Sequence, residues 1–409
     1  MQLALPLPSL AGAGCSELRL AVATPFVDRR HGTERAVAEL IERLAEKYGC
    51  EIELYAQRVD DLALSGKDTS SIQRDSGIHW RRVLSLPGPH LLRFAFWYFI
   101  NYWRRLWDRH ARGVRFDFVF SPGINCPDAK VILVHAVFHR VEELERNSKP
   151  SGLRGLHRRL YYGLLCFLER RLYTSKKVTL AAVSRHTAAQ LAQYFGRNDV
   201  TVIPNGVDTQ QFRPGARLAQ REAARDRWRL SRNDRVLLLV GNDWRNKGLD
   251  TLLQATALCK ELPIRLLILG QDDPGSFAAR VGELGLAKRV EFAPPSPDIL
   301  SFYAPADIVV APSLEDSFNL PALEAMACGL PVIVSPEAGI SEWVTPGHDA
   351  VLLKDPRDAS ELAEAIRSLV SDPEHAARMG ENAVRTASTL TWDRHAEAVF
   401  QLLSQIKKN

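Results

Sequence analysis

Cysteine is sparse and scattered in this 409-residue chain. The six stand at positions 15, 50, 126, 166, 259 and 328, with no C-x-x-C pair and no close histidine partner. That spacing excludes a disulfide framework and a structural zinc site, and it fits a reducing, cytoplasmic compartment. No apolar run reaches the roughly 18 uncharged residues of a spanning helix. Internal repeats and low-complexity tracts are also missing, which excludes a repeat architecture. The first 16 residues, MQLALPLPSLAGAGCS, have no basic segment ahead of their apolar stretch and contain two prolines. Cys15 lacks the leucine three positions earlier that a lipoprotein signal would carry, so 1–16 reads as a disordered tail.

What is present is a globular composition, 46% hydrophobic and 25% charged, in a chain long enough for two domains with separate cores. The charge is unevenly divided. Residues 1–180 hold 28 Lys and Arg against 19 Asp and Glu, whereas the remainder holds 25 against 29. A basic first half implies an anionic surface facing it.

Short apolar runs alternate with helical stretches throughout, the pattern of parallel α/β layers. Strands are expected at 18–24, 51–57, 116–122, 130–136, 178–184 and 200–204, then at 236–242, 265–270, 290–293, 307–312, 331–335 and 350–353. Helices are expected between most of them, including 33–48, 185–195, 248–261, 320–328 and 358–370. Two Rossmann-like domains follow, 17–204 and 205–390, with a crevice at the carboxyl ends of their strands. The join is IPNGVDTQQFRPG (203–215), where Asn205-Gly206 and Pro214-Gly215 supply turn chemistry.

The densest information lies in PSLEDSFNLPALEAMACGLPVIVS, residues 312–335. Pro312 closes one apolar run and Pro331 opens the next. Between them LPALEAMA is a helix former stopped at Gly329. The start of such a helix presents free N–H groups at Phe318, Asn319 and Leu320, a site suited to phosphate. Glu324, one turn in, can accept two hydrogen bonds from a vicinal diol such as ribose. Asp316 precedes it by eight positions.

This constellation resembles the retaining glycosyltransferases of family 4, whose fold is GT-B. The usual motif there is E-x7-E, and this chain has D-x7-E, with Glu315 one position too early to substitute. PNGVD also resembles the segment that ends the first domain in that family. The resemblance implies that the last helix, 391–406 here, crosses back onto the first domain. It further implies that Arg245 and Lys247, in VGNDWRNKG after a strand end, neutralise the leaving nucleoside diphosphate without a metal. The commoner spelling has Arg where Asn242 stands. This spelling is closer to lipopolysaccharide-core glucosyltransferases, which share the Gly270-Gln271-Asp272 turn. Gly270 admits close approach of a nucleotide, although a plain tight turn explains it equally. Gly32, opening a helix after the first strand, would face phosphate or acceptor, and His31 beside it is either an acceptor contact or solvent-exposed and inert. His135, at the end of KVILVHA, would contact the transferred sugar near its reacting carbon. His139 is a weaker candidate for the site, and Ser184 reads as a helix cap before Arg185.

Residues 89–115 interleave aromatics with arginines, and 81–115 contain eight Arg and one acid. A helix placing Trp97, Trp103 and Trp107 beside Arg104, Arg105 and Arg109 could lie in an anionic membrane interface, aided by a second basic stretch at 154–177. The alternative is a core helix with a solvated basic edge. No nucleic-acid-binding module is visible.

The combined expectation is a cytoplasmic GT-B enzyme, peripheral at the membrane, that transfers a sugar from a nucleotide donor, UDP-linked, to a lipid-linked or polysaccharide acceptor in cell-envelope synthesis. His135, Arg245, Lys247 and Asp316 would be catalytic, and Gly32, Gly270, Phe318, Asn319, Leu320 and Glu324 would bind the donor. Neither a metal nor another cofactor is expected, since the first domain has no D-x-D at a strand end. The rivals are a UDP-sugar 2-epimerase of the same fold and a non-catalytic nucleotide-sugar-binding protein.

Overall fold

The computed structural model describes residues 18–65, 76–145, 152–296 and 298–408. The tail expected at 1–16 lies outside them. Two parallel sheets dominate. The first runs, edge to edge, Ile78–Arg82, Glu51–Ala56, Arg19–Ala23, Phe118–Ser121, Val131–Val134, Thr179–Ala182 and Thr201–Val202. The second runs Val290–Ala293, Ile264–Leu269, Arg235–Val240, Ile308–Ala311, Val332–Val334 and Val351–Leu352. In both, the first strand is central and the order turns back on the other side of it, the doubly wound arrangement. The edge strand Ile78–Arg82, IHWRR, is polar and is not among the expected strands, whereas the inner strands are nearly continuous apolar runs because helices cover both faces. All four residues of Val131–Val134 are buried, for example. One apolar core fills the outer face of each sheet, and a third is continuous between the two halves, from Leu20 and Val37 to Leu238 and Leu323.

The expected strand at 200–204 is reduced to Thr201–Val202. Pro204 cannot donate to a ladder, which ends pairing there. The aromatic–arginine stretch forms the helix His90–Ala111, with a division the periodicity did not reveal. Trp97 is core, 2% exposed, and Arg105 is equally interior, paired with Asp128. Trp103 and Trp107 are exposed. The interfacial face therefore excludes two of the six residues expected on it.

The final helix, Trp392–Lys408, lies on the first-half helix Gly32–Tyr48. Tyr48 and Phe400 stack at 4.4 Å between centroids, and Asp393 meets Arg43 Nε at 2.8 Å and Lys47 Nζ at 2.6 Å. Where the chain returns it touches the join. Val207 N donates to Leu390 O at 2.9 Å, and a Cβ on Gly206 would stand 2.2 Å from Trp392 N. Two backbones this close allow no side chain. Gly206→Ala should lower stability by about 1–3 kcal/mol, the range for overpacking. Gly282→Ala, where a Cβ meets nothing within 4 Å, should be neutral or slightly stabilising. Urea unfolding of both variants checks the contrast, and equal midpoints would contradict this packing.

Candidate active site

The carboxyl ends of the two sheets face a common cleft of about 330 Å³. His135 and Asn205 enter it from the ends of first-sheet strands, and Gly241, Asn242 and Gly270 from the second sheet. The loop 313–319 and the helix Leu320–Ala327 form one wall, and Arg29–Thr33 with Arg35 the opposite wall. A larger groove of about 740 Å³, near Pro214 and Arg385, contains none of the expected site residues.

Asn319 starts the wall helix. It adopts a left-handed φ of 74°, and its side chain accepts from Ala322 N at 3.1 Å. Asparagine tolerates that conformation better than most residues, and its amide caps the helix at the same time. Asp316 reaches the same helix start. Its Oδ1 accepts from Phe318 N at 3.2 Å and Asn319 N at 2.9 Å, and its Oδ2 pairs with Lys247. Two of the three amides expected to receive phosphate are thus already bonded to an internal carboxylate. The anion that the helix dipole attracts here is Asp316 itself.

Lys247 reaches Asp316 by crossing over Gly241, whose φ is 140°; a Cβ there would lie 2.7 Å from Lys247 Cε. That glycine is required by a lysine. Arg245, two residues away, is exposed and does not line the cleft, so only one of the two expected cations reaches it. Gly270 also has an internal explanation. A Cβ would stand 2.3 Å from Gly241 O and 2.4 Å from Trp244 Nε1, so close packing of this chain demands glycine before any nucleotide does. Gly32 is different, lining the cleft with its nearest cross-domain neighbour, Leu320 Cδ1, at 3.7 Å from a notional Cβ.

Glu324 is 3% exposed. Its Oε1 pairs with Arg35 from the opposite wall, and its Oε2 accepts from Tyr303 Oη at 2.8 Å. Burial together with this carboxylate drives the Tyr303 hydroxyl well above its usual pKa, so it stays a donor. Beside Asp316, Glu315 forms a second cross-domain lock. It accepts from His186 Nε2 at 2.9 Å, Gln190 Nε2 at 2.8 Å and Arg140 Nε at 3.1 Å. The amides of Arg185 and His186 bond to Glu342 of the second half at 2.8 and 2.5 Å. Arg185 thus contributes its backbone, and Ser184 caps its helix by accepting from Thr187 N. His31 is bonded at Nδ1 to Asp28, 2.9 Å away, and at Nε2 to Gln271, 3.1 Å across the cleft. His139 is outside the cleft, bound to Glu169 at 2.7 Å.

The model for Glycosyltransferase Family 4 matches residues 30–211, and that for Glycosyl transferases group 1 matches residues 220–386. The chain belongs to glycosyltransferase family 4. The D-inositol 3-phosphate glycosyltransferase of Nocardia farcinica is 32% identical over 239 residues, 55% of this chain and 52% of that protein. The chain spans about half the length of the curated relatives it matches. Among solved structures, WaaG, a glycosyltransferase involved in lipopolysaccharide biosynthesis, superposes with a TM-score of 0.75 at 19% identity, covering 94% of this chain and 99% of its own. Anabaena HepE in complex with UDP-glucose gives 0.69 at 17% identity, covering 95% and 100%. The fold is GT-B, as the family resemblance implied.

Two cleft-lining polar groups, and a third that lies near His135, escape a reading of the motif alone. Arg35 sits in an ordinary amphipathic helix pattern, Asn205 in what reads as a turn, and His395 in the distant last helix. His135 and His395 are both buried, and each donates from Nδ1 to a backbone carbonyl, Leu133 O at 3.2 Å and Pro204 O at 2.8 Å. That bond leaves Nε2 of each ring as an acceptor. Among the described residues neither Nε2 has a partner, nor does Asn205 Oδ1. His135 and Asn205 both line the cleft, and each holds a buried acceptor without a partner among the described residues.

Desolvation, with a smaller contribution from His395, lowers the His135 pKa from 6.5 to about 4, and desolvation likewise lowers His395 to about 4. Both rings are neutral when folded, whereas the unfolded chain protonates them below about 6.5. Their contribution to stability is complete above pH 6.5 and is lost as pH falls toward 4. His395→Gln should therefore be most destabilising at neutral pH and approach the wild type near pH 4. Thermal unfolding across that range checks this, and a pH-independent difference would contradict a neutral buried His395.

Proposed function

We propose that this protein transfers a sugar from a nucleotide donor, UDP-linked, to a lipid-linked or polysaccharide acceptor of the cell envelope, with retention at the anomeric carbon. The observation that carries the reading is one cleft between two Rossmann-like halves holding an acid pair, Asp316 and Glu324, each matched by a cation. The UDP-glucose in HepE supports a uridine donor, and the lipopolysaccharide role of WaaG supports an envelope acceptor. Glu324 would hold the ribose, Asp316 the donor sugar hydroxyls and Lys247 the diphosphate. Leu320 N and Gly32 would face phosphate. His135 Nε2, an acceptor, suits a sugar hydroxyl rather than proton transfer, because the ring is neutral at physiological pH. The charge on the leaving diphosphate would be met by Lys247 and the free Leu320 N–H, without a metal.

Purified protein offered UDP-sugars with glycolipid acceptors in excess chelator should release UDP only when an acceptor is present. Asp316→Asn should lower transfer by about 10²-fold or more, the scale for a displaced reacting group, with UDP affinity nearly unchanged. Consumption without acceptor would point to the epimerase. UDP binding with no transfer to any acceptor would point to a non-catalytic binder.

The acceptor class rests on a surface feature. Phe99, Trp103 and Trp107 of the helix His90–Ala111 are 60%, 63% and 61% exposed. Leu156, Leu160 and Phe167 project from the neighbouring helix Gly152–Tyr173, which touches the first through Phe94 and Tyr161. Exposed tryptophans beside arginines suit a membrane interface, where each basic residue contributes roughly 1 kcal/mol on anionic lipid. The protein should sediment with anionic vesicles at low salt and be released by salt. Trp103→Ser/Trp107→Ser should abolish binding, whereas indifference to lipid charge would favour an acceptor handled in solution.

A further inference from the structure

We infer that the nucleotide enters by ion-pair exchange, in which Arg35 leaves Glu324 and becomes the first domain's ligand for the donor diphosphate. The inference rests on the nucleotide-sugar reading and adds to it a residue and a sequence of events. Lys247 and Arg35, the cations that meet the acid pair, are bound one to each acid, Lys247 to Asp316 and Arg35 to Glu324. Arg29 on the same wall is fully engaged with Glu39 and Glu42. Arg35 and Glu324 come from opposite halves, 289 positions apart, and their side chains are 18% and 4% exposed.

The guanidinium in this state is incompletely satisfied. One Nη2 bond goes to Glu324, whereas Nε is buried and has no partner among the described residues. A buried cationic N–H without an acceptor is costly, and the planar fork that carries it is shaped for two oxygens of a phosphate. A diphosphate in the cleft would use that second donor. Glu324 would stay oriented when Arg35 departs, because Tyr303 holds its other oxygen at 2.8 Å. The freed Oε1 is then the acceptor a ribose hydroxyl requires. Each acid thus exchanges a cation for hydroxyl donors, and each cation exchanges a carboxylate for phosphate.

Affinity separates this from a purely orienting role for Arg35. The nucleoside diphosphate that binds wild type best among UDP, ADP and GDP is titrated calorimetrically beside its nucleoside. Arg35→Gln should weaken the diphosphate by about 10-fold or more, one charged hydrogen bond or more, and leave the nucleoside within about twofold. Arg35→Lys, which keeps the charge and loses the fork, should fall between and serves if the glutamine variant is unstable. Glu324→Gln should weaken both ligands by the same factor, because both contain the ribose. Equal loss of diphosphate and nucleoside in the Arg35 variants would overturn the exchange, since Arg35 would then act only through Glu324. A wild type that binds no diphosphate more tightly than its nucleoside would overturn the nucleotide reading itself.

Discussion

A carboxylate removed from water must be met by a cation or by hydrogen-bond donors, and one short loop with the helix that follows it has to meet that demand three times. Glu315, Asp316 and Glu324 are each almost fully withdrawn from solvent, with side chains 11%, 11% and 4% exposed. Only Asp316 finds its cation within the same half, in Lys247. Glu315 depends on Arg140, His186 and Gln190, and Glu324 on Arg35, all from the first half. The loop and helix that carry the acid pair therefore cannot be electrostatically complete unless the two halves are together. Closure of the cleft and neutralisation of its acids are the same event.

This dependence also separates what the sequence made legible from what it did not. Most strand positions follow from apolar runs that need no knowledge of partners, whereas the edge strand Ile78–Arg82 (IHWRR) is too polar to be read that way and only its pairing with Glu51–Ala56 makes it a strand. The helix start at Leu320, with Asp316 before it and Glu324 inside it, is likewise readable, because caps and periodicity are local. Partnerships across the cleft are not. Arg35 stands in GTERAVAEL, where a single arginine reads as a solvated face, and only the opposite wall turns it inward. Arg245 looked equivalent to Lys247 by spacing, yet only the lysine crosses Gly241 to the cleft, and Arg245 is exposed outside it. Trp97 and Arg105 looked interfacial from composition, and packing placed them inside, Trp97 in the apolar core and Arg105 against Asp128.

The glycines point the same way. Gly241 and Gly270 sit at strand ends beside the cleft, where a ligand would be the natural reason for a missing side chain. Their nearest obstacles are Lys247, the Gly241 carbonyl and the Trp244 ring, all of this chain. The cleft floor is close-packed before any ligand arrives, so its shape is pre-organised rather than moulded on binding.

The contact between Gly206 and Trp392 bears on how the halves move. The polypeptide passes between them twice, once outward through the join and once on its return, and at 2.2 Å from a notional Cβ these two passages are effectively fused. A single tether would let one half swivel freely about the chain axis. Two fused passages behave as a door hinge with one pin, leaving opening and shutting as the soft coordinate and making torsion stiff. Arg35, Arg140 and His186 would then return to the same two carboxylates, Glu324 and Glu315, each time the empty cleft shuts, with no search over orientations.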